Sequence, residues 1–147
     1  MSLLEQIDAD LHSAIKSGNE IVSATLRMLK ADISYEKGKT GKDLDDEKVG
    51  ELLARAAKRR RESIAEFEKA DRNDLAEREK AELVVLTAYL PKQMSEADIA
   101  AFIDAKIAQS GKPSPSEGGK FMGSIIKELK GMADGAVVKS ILAEKLK

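Results

Sequence analysis

Apolar residues recur at helical spacing from one end of this chain to the other, and they nowhere alternate for long enough to build a strand. Ser2-Leu3-Leu4-Glu5 reads as a capping box opening a first helix, whose stripe is Leu4, Ile7, Leu11 and Ile15 and whose stop is Gly18. A second helix, from about Asn19 to Lys37, carries Val22, Leu26, Leu29 and Ile33 on one face. Ile21, Met28 and Tyr35 add a second apolar line, so this helix is expected to be the most enclosed of the first four. Gly38-Lys39-Thr40-Gly41-Lys42 reads as a polar turn. The third helix, from about Asp46 to Ala70, uses Val49, Leu53, Ala56, Ile64 and Phe67. After a break at Asp71-Arg72-Asn73, a fourth runs from Asp74 to Leu90 on Leu75, Leu83, Leu86 and Leu90, where Pro91 stops it. Ser95-Glu96-Ala97-Asp98 opens a fifth helix, about Glu96 to Gln109, packed through Ile99, Phe102, Ile103 and Ile107. The Gly- and Pro-rich connector 111–116 then leads to a last helical pair within 119–146.

That final stretch is the most patterned. Phe121, Met122, Ile125, Ile126 and Leu129 share one side of a helix, and Lys120, Lys127 and Lys130 fall on the other. Gly119 and Gly123 lie on the seam between the two sides, where a missing side chain would let another backbone come close. Gly131 reads as a left-handed stop, and Asp134 as the cap of a helix that packs through Val137, Val138, Ile141, Leu142 and Leu146. The spacing thus predicts an all-α chain. A four-helix bundle over 1–90 is followed by a three-helix bundle over 91–147, with the joint at 91–95.

Some charges fall inside these stripes. Arg60 lands in the middle of the third helix's stripe, and Glu79 and Glu82 land in that of the fourth. Burying a lone charge is prohibitive, so Arg60 is expected to pair with Glu82, with Glu79 as second choice, joining the two helices. The other reading of Glu79 and Glu82, as an acid/base or metal pair, lacks further ligands to complete a shell. Lys58-Arg59-Arg60-Arg61 is the strongest basic run, but its members point in four directions around a helix. Lys58, Arg59 and Arg61 are expected in solvent near Glu62 and Glu66, with a secondary RNA contact as the functional reading.

Composition narrows the classes. Aromatic residues make up 3% of the chain against 42% hydrophobic, which suits an aliphatic helical core. Without cysteine there is neither a disulfide nor a thiol nucleophile, and one histidine cannot build a multi-histidine metal site. No membrane-spanning run or signal-like start is present, so the expected location is cytoplasmic and no membrane partner is expected. A net charge of −1 argues against strong non-specific nucleic-acid binding, and DNA is not expected as a partner. Residues 1–90 hold sixteen Lys and Arg against nineteen Asp and Glu, whereas 91–147 hold nine against seven. Any polyanion contact therefore belongs at the C-terminal end.

Catalytic chemistry is poorly supplied. Gly38-Lys39-Thr40 lacks the spacing and the preceding strand that a phosphate loop needs. No Gly-x-Ser-x-Gly elbow occurs, and His12 sits alone on the flank of the first helix. No cofactor is expected, no metal site is found, and the chain reads as a non-enzyme.

The run Gly123-x6-Lys130-Gly131-x-Ala133-Asp134-Gly135-x-Val137-Val138 resembles the tail motif of the YqeY-like proteins and of the B subunit of the tRNA-dependent amidotransferase, the GatB/YqeY domain. The resemblance extends upstream through Tyr89-Leu90-Pro91-x-Gln93 and Arg72-x-Asp74-Leu75. Where the amidotransferase tail typically has Ala-Asn-Pro, this chain has Ala133-Asp134-Gly135, the stand-alone variant. The resemblance implies a multihelical fold and recognition of tRNA or another structured RNA. Lys120, Lys127 and Lys130 would bind phosphates, with Gly119, Gly123 and Gly131 shaping the surface. Amide transfer with glutamine as nitrogen donor would be open to this chain only as a subunit. The alternative is a protein–protein adaptor, in which the glycine seam and the last helix form a partner groove.

Overall fold

A computed structural model describes residues 1–147 and is all-α, with seven helices and no strand. The helices are α1 (Leu3–Ser17), α2 (Glu20–Thr40), α3 (Asp46–Lys69), α4 (Asn73–Thr87), α5 (Glu96–Ser110), α6 (Gly118–Glu128) and α7 (Gly135–Lys145). They divide between two compact units, Met1–Pro91 and Lys92–Lys147.

In the first unit, α3 and α4 form the most extensive pairing, and α2 packs against α1, α3 and α4. Ile7, Leu26, Leu29, Ile33, Val49, Leu53 and Leu86 meet in its core. Each of the first three helices starts on a side-chain cap: Ser2 accepts from Glu5 N, Asn19 from Val22 N and Asp45 from Lys48 N. Ser2 caps α1 without a return bond from Glu5, so only half of the expected capping box forms.

Four expectations fail here for identifiable reasons. Helix α2 runs through Gly38 to Thr40, because the left-handed stop is Gly41, whose φ is +70° and whose N–H bonds Lys37 O. Two of the three residues in the second apolar line of α2 face solvent: Met28 is 53% and Tyr35 67% exposed, while Ile21 is half-buried and neighbouring helices cover the Leu26–Leu29–Ile33 face. Ile15 is likewise 49% exposed, and Ala14 takes the buried position on α1. Helix α4 ends at Thr87 rather than Leu90. Its chain tightens into the turns Tyr89 N to Leu86 O and Leu90 N to Thr87 O, since the residue before Pro91 is driven away from α geometry.

The second unit is built on α5, α6 and α7, with α7 packed against both others. Ile99, Ile103, Ile125, Leu129, Val138 and Leu142 form its core. Here the capping box is complete, with Ser95 and Asp98 each accepting from the other's backbone N–H.

Candidate functional site

The buried side of α6 is the stripe read from the sequence: Ile125 and Leu129 are fully buried, and Phe121, Met122 and Ile126 pack partly buried against them. The outer side is Gly119, Lys120, Gly123, Ser124, Lys127 and Glu128, all exposed. Lys120 and Lys127 are seven residues apart, so they leave the same face about 10 Å apart along the axis. Neither pairs with a carboxylate. Glu128, the acidic group of this face, is held by Lys106 at 3.0 Å. Lys130 is exposed too, but it lies past the last helical residue, in the turn, rather than on the helical face.

The glycines behave differently from the seam reading. A Cβ placed on Gly119 or Gly123 meets no atom within 4 Å, so no other backbone of this chain uses the space. They leave a smooth, open strip beside the two lysines. Gly131 is structural. Its φ of +84° makes the stop after α6, and its carbonyl accepts from Gln93 Nε2 at 2.8 Å. Met94 N bonds Met132 O at 2.8 Å, and Asp134 accepts from Ala136 N to cap α7. The Lys130–Gly135 motif is thus the α6–α7 turn, tied down by residues that follow Pro91.

Beside the α6 face, the 110–113 segment leaves a hollow of about 330 Å³ against the start of the helix. Lys112, Lys120, Glu117, Phe121 and Ser124 line it. Ser114 Oγ donates to Glu117 Oε1 at 2.7 Å, and Lys112 Nζ donates to the Lys147 main-chain oxygen at 3.0 Å. The Ser114 hydroxyl, and then its backbone, hold the Glu117 carboxyl below the usual range.

In the first unit, Arg60 is buried between α3 and α4. Glu79 is its nearer partner at 3.5 Å and Glu82 the farther at 3.9 Å, which reverses the expected order. Burial, and then the Glu82 charge, push the Glu79 carboxyl up against the opposing pull of Arg60 and Arg78. Arg59 does not turn to Glu62 or Glu66; it reaches across to Asp32 on α2 at 2.8 Å. Lys58 is exposed with no acidic partner, and Arg61 is half-buried. The basic run is therefore divided between core, interhelix bridge and solvent, and forms no single patch. His12 is exposed, and no group of three or more His, Asp or Glu side chains converges on a metal position.

Two polar ties went unread in the sequence. Tyr89 Oη donates to Asp10 at 2.5 Å, and Gln93 holds the Gly131 carbonyl. Both flank Pro91 in a stretch whose hydrophobic pattern carries no information about hydrogen bonding.

Known proteins resemble this chain over most of its length. The family model described as YqeY-like protein matches residues 4–146. A protein of Pyrenophora tritici-repentis named altered inheritance of mitochondria protein 41, mitochondrial, is 32% identical over 136 residues, covering 89% of this chain and 73% of that one. The protein of the same name from Lachancea thermotolerans is 33% identical over 110 residues, covering 73% of this chain and 59% of that one. An uncharacterised protein of Schizosaccharomyces pombe is 32% identical over 85 residues. The chain belongs to the YqeY-like family. The expected cytoplasmic location is corrected by these relatives, two of which are named as mitochondrial. Helical periodicity and the lack of a long apolar span do not report a compartment: no helix is long and apolar enough to cross a membrane, and that is all the pattern says.

Proposed function

We propose that this member of the YqeY-like family is a non-catalytic helper that binds tRNA or another structured RNA through the outer face of α6. In this reading a four-helix bundle carries a three-helix one, and the smaller unit makes the contact. The observation that carries it is the pair Lys120 and Lys127, exposed on one helical face with no carboxylate to neutralise them. Lys130 adds a third ammonium group from the following turn. Phosphate contacts of this kind position a protein on a backbone and read shape more than sequence. The resemblance of the Gly123–Val138 motif to the tail of the tRNA-dependent amidotransferase B subunit supports tRNA as the ligand class. The test is tRNA binding across a salt series, with Lys120, Lys127 and Lys130 changed to Glu.

A second reading is favoured by the open strip at Gly119 and Gly123. Bare helix backbone facing solvent suits close approach by a partner protein's helix, so an adaptor role stands as the alternative. Recovery of a stoichiometric protein partner by a chain that does not bind tRNA would select it.

A further inference from the structure

We propose that the hollow between the 110–113 segment and α6 takes one unpaired nucleotide of the bound RNA, guanine by preference. The base would lie on Phe121, its edge donors on Glu117, and its phosphate between Lys112 and Lys120. This rests on the RNA reading above and adds to it a place where a base is read.

The space comes first. About 330 Å³ is at the small end of ligand sites, room for one small planar group and its phosphate. The aromatic wall is fixed: Phe121 packs against the Ile125–Leu129 core while still lining the hollow, so the ring loses little freedom when a base stacks on it.

Edge recognition falls to Glu117. Ser114 donates to Oε1, which orients the carboxylate, and its remaining lone pairs can still accept. The carboxyl sits below its usual range, so it is ionised at neutral pH and can only accept. Of the four bases, guanine alone offers two adjacent donors, N1–H and the N2 amine, on its pairing edge. Uracil sets one N–H between two carbonyls, which an anionic acceptor repels. The remaining chemistry is cationic: Lys120 is unpaired, and Lys112 spends one of its three donors on the Lys147 oxygen. Lys120 is thus the ammonium group free to meet a phosphate, with Lys112 beside it.

The experiment is an amide NMR titration of the isotopically labelled chain with GMP, AMP, CMP, UMP and inorganic phosphate. Shifts centred on Lys112, Glu117, Phe121 and Ser124 are expected, with GMP binding about tenfold more tightly than UMP. Glu117→Gln should abolish that preference, and Lys120→Glu should weaken all four nucleotides. Both positions are exposed, and circular dichroism is the check that the variants fold. Shifts centred elsewhere, a GMP preference that survives Glu117→Gln, or inorganic phosphate binding as tightly as GMP would each overturn the subsite. Transfer-RNA binding measured on the same samples separates the two readings. If tRNA binds and the hollow stays silent, the subsite alone fails. If GMP fills the hollow of a chain that does not bind tRNA, the pocket stands and its RNA setting fails.

Discussion

Arg60 Nε lies 3.5 Å from Glu79 Oε2, and both atoms are buried without a hydrogen bond. The separation is that of an ion pair but exceeds the range in which an N–H and a carboxylate bond. With Glu82 only 6% exposed nearby, two carboxylates share one guanidinium, so the cluster is held by charge rather than by good geometry. Arg60→Met should therefore destabilise the chain by about 3–5 kcal/mol, since it strands both carboxylates. Replacing all three with apolar residues of similar volume should recover most of that loss. Urea unfolding of the single and triple variants decides this.

Glu79 gives the cluster a pH dependence. Its carboxyl is raised above 4.5, first by burial and then by Glu82, so the folded state holds the proton more tightly than the unfolded chain does. The stability this supplies is complete below 4.5 and is lost as pH rises through the raised native value. Glu79→Gln should flatten the unfolding free energy across the window that opens at 4.5, leaving little change below it. Unfolding curves at a series of pH values give the slope directly.

Tyr89 and Asp10 act at the alkaline end. Burial first, and then the hydrogen bond to Asp10, push the Tyr89 phenol above its ordinary value. The unfolded chain ionises at about 10 while the folded one keeps its proton, so stability falls as pH climbs past that point. Tyr89→Phe should cost about 1–3 kcal/mol at neutral pH and remove the phenol's share of the alkaline loss. Chemical denaturation at neutral and alkaline pH tests both parts.

Glycines in the second unit should respond in opposite directions. Gly123 is inside α6 with open space at its Cβ, so Gly123→Ala should stabilise by about 0.5–1 kcal/mol. Gly131 holds φ +84°, where Gly131→Ala should cost about 1–2 kcal/mol. Thermal melts give the signs. If the RNA backbone comes close to α6 at Gly123, Gly123→Ala should also weaken tRNA binding while raising the melting temperature.

Periodicity carried the all-α architecture because each stripe had to be buried whichever helix covered it. It located the Phe121–Leu129 face and placed Arg60, Glu79 and Glu82 inside their stripes. It misjudged Met28, Tyr35 and Ile15, because an apolar line says nothing about how many neighbours are there to cover it. The pattern ends α2 at about Lys37, ahead of Gly38, whereas the φ of +70° puts the stop at Gly41. Arg59 shows the same limit for charge, since its partner Asp32 lies on another helix and not one turn away. The ties of Tyr89 and Gln93 were out of reach because hydrogen bonds between residues distant in sequence leave no local pattern.

The most direct test of the RNA assignment is tRNA affinity as a function of salt, for the natural chain and for Lys120→Glu/Lys127→Glu/Lys130→Glu. The account predicts binding at low salt whose logarithm falls with log salt at a slope of about −2 to −3, as expected for three phosphate contacts. It predicts that the triple change abolishes that binding with the fold intact. No binding at low salt, or binding indifferent to the triple change, would contradict it.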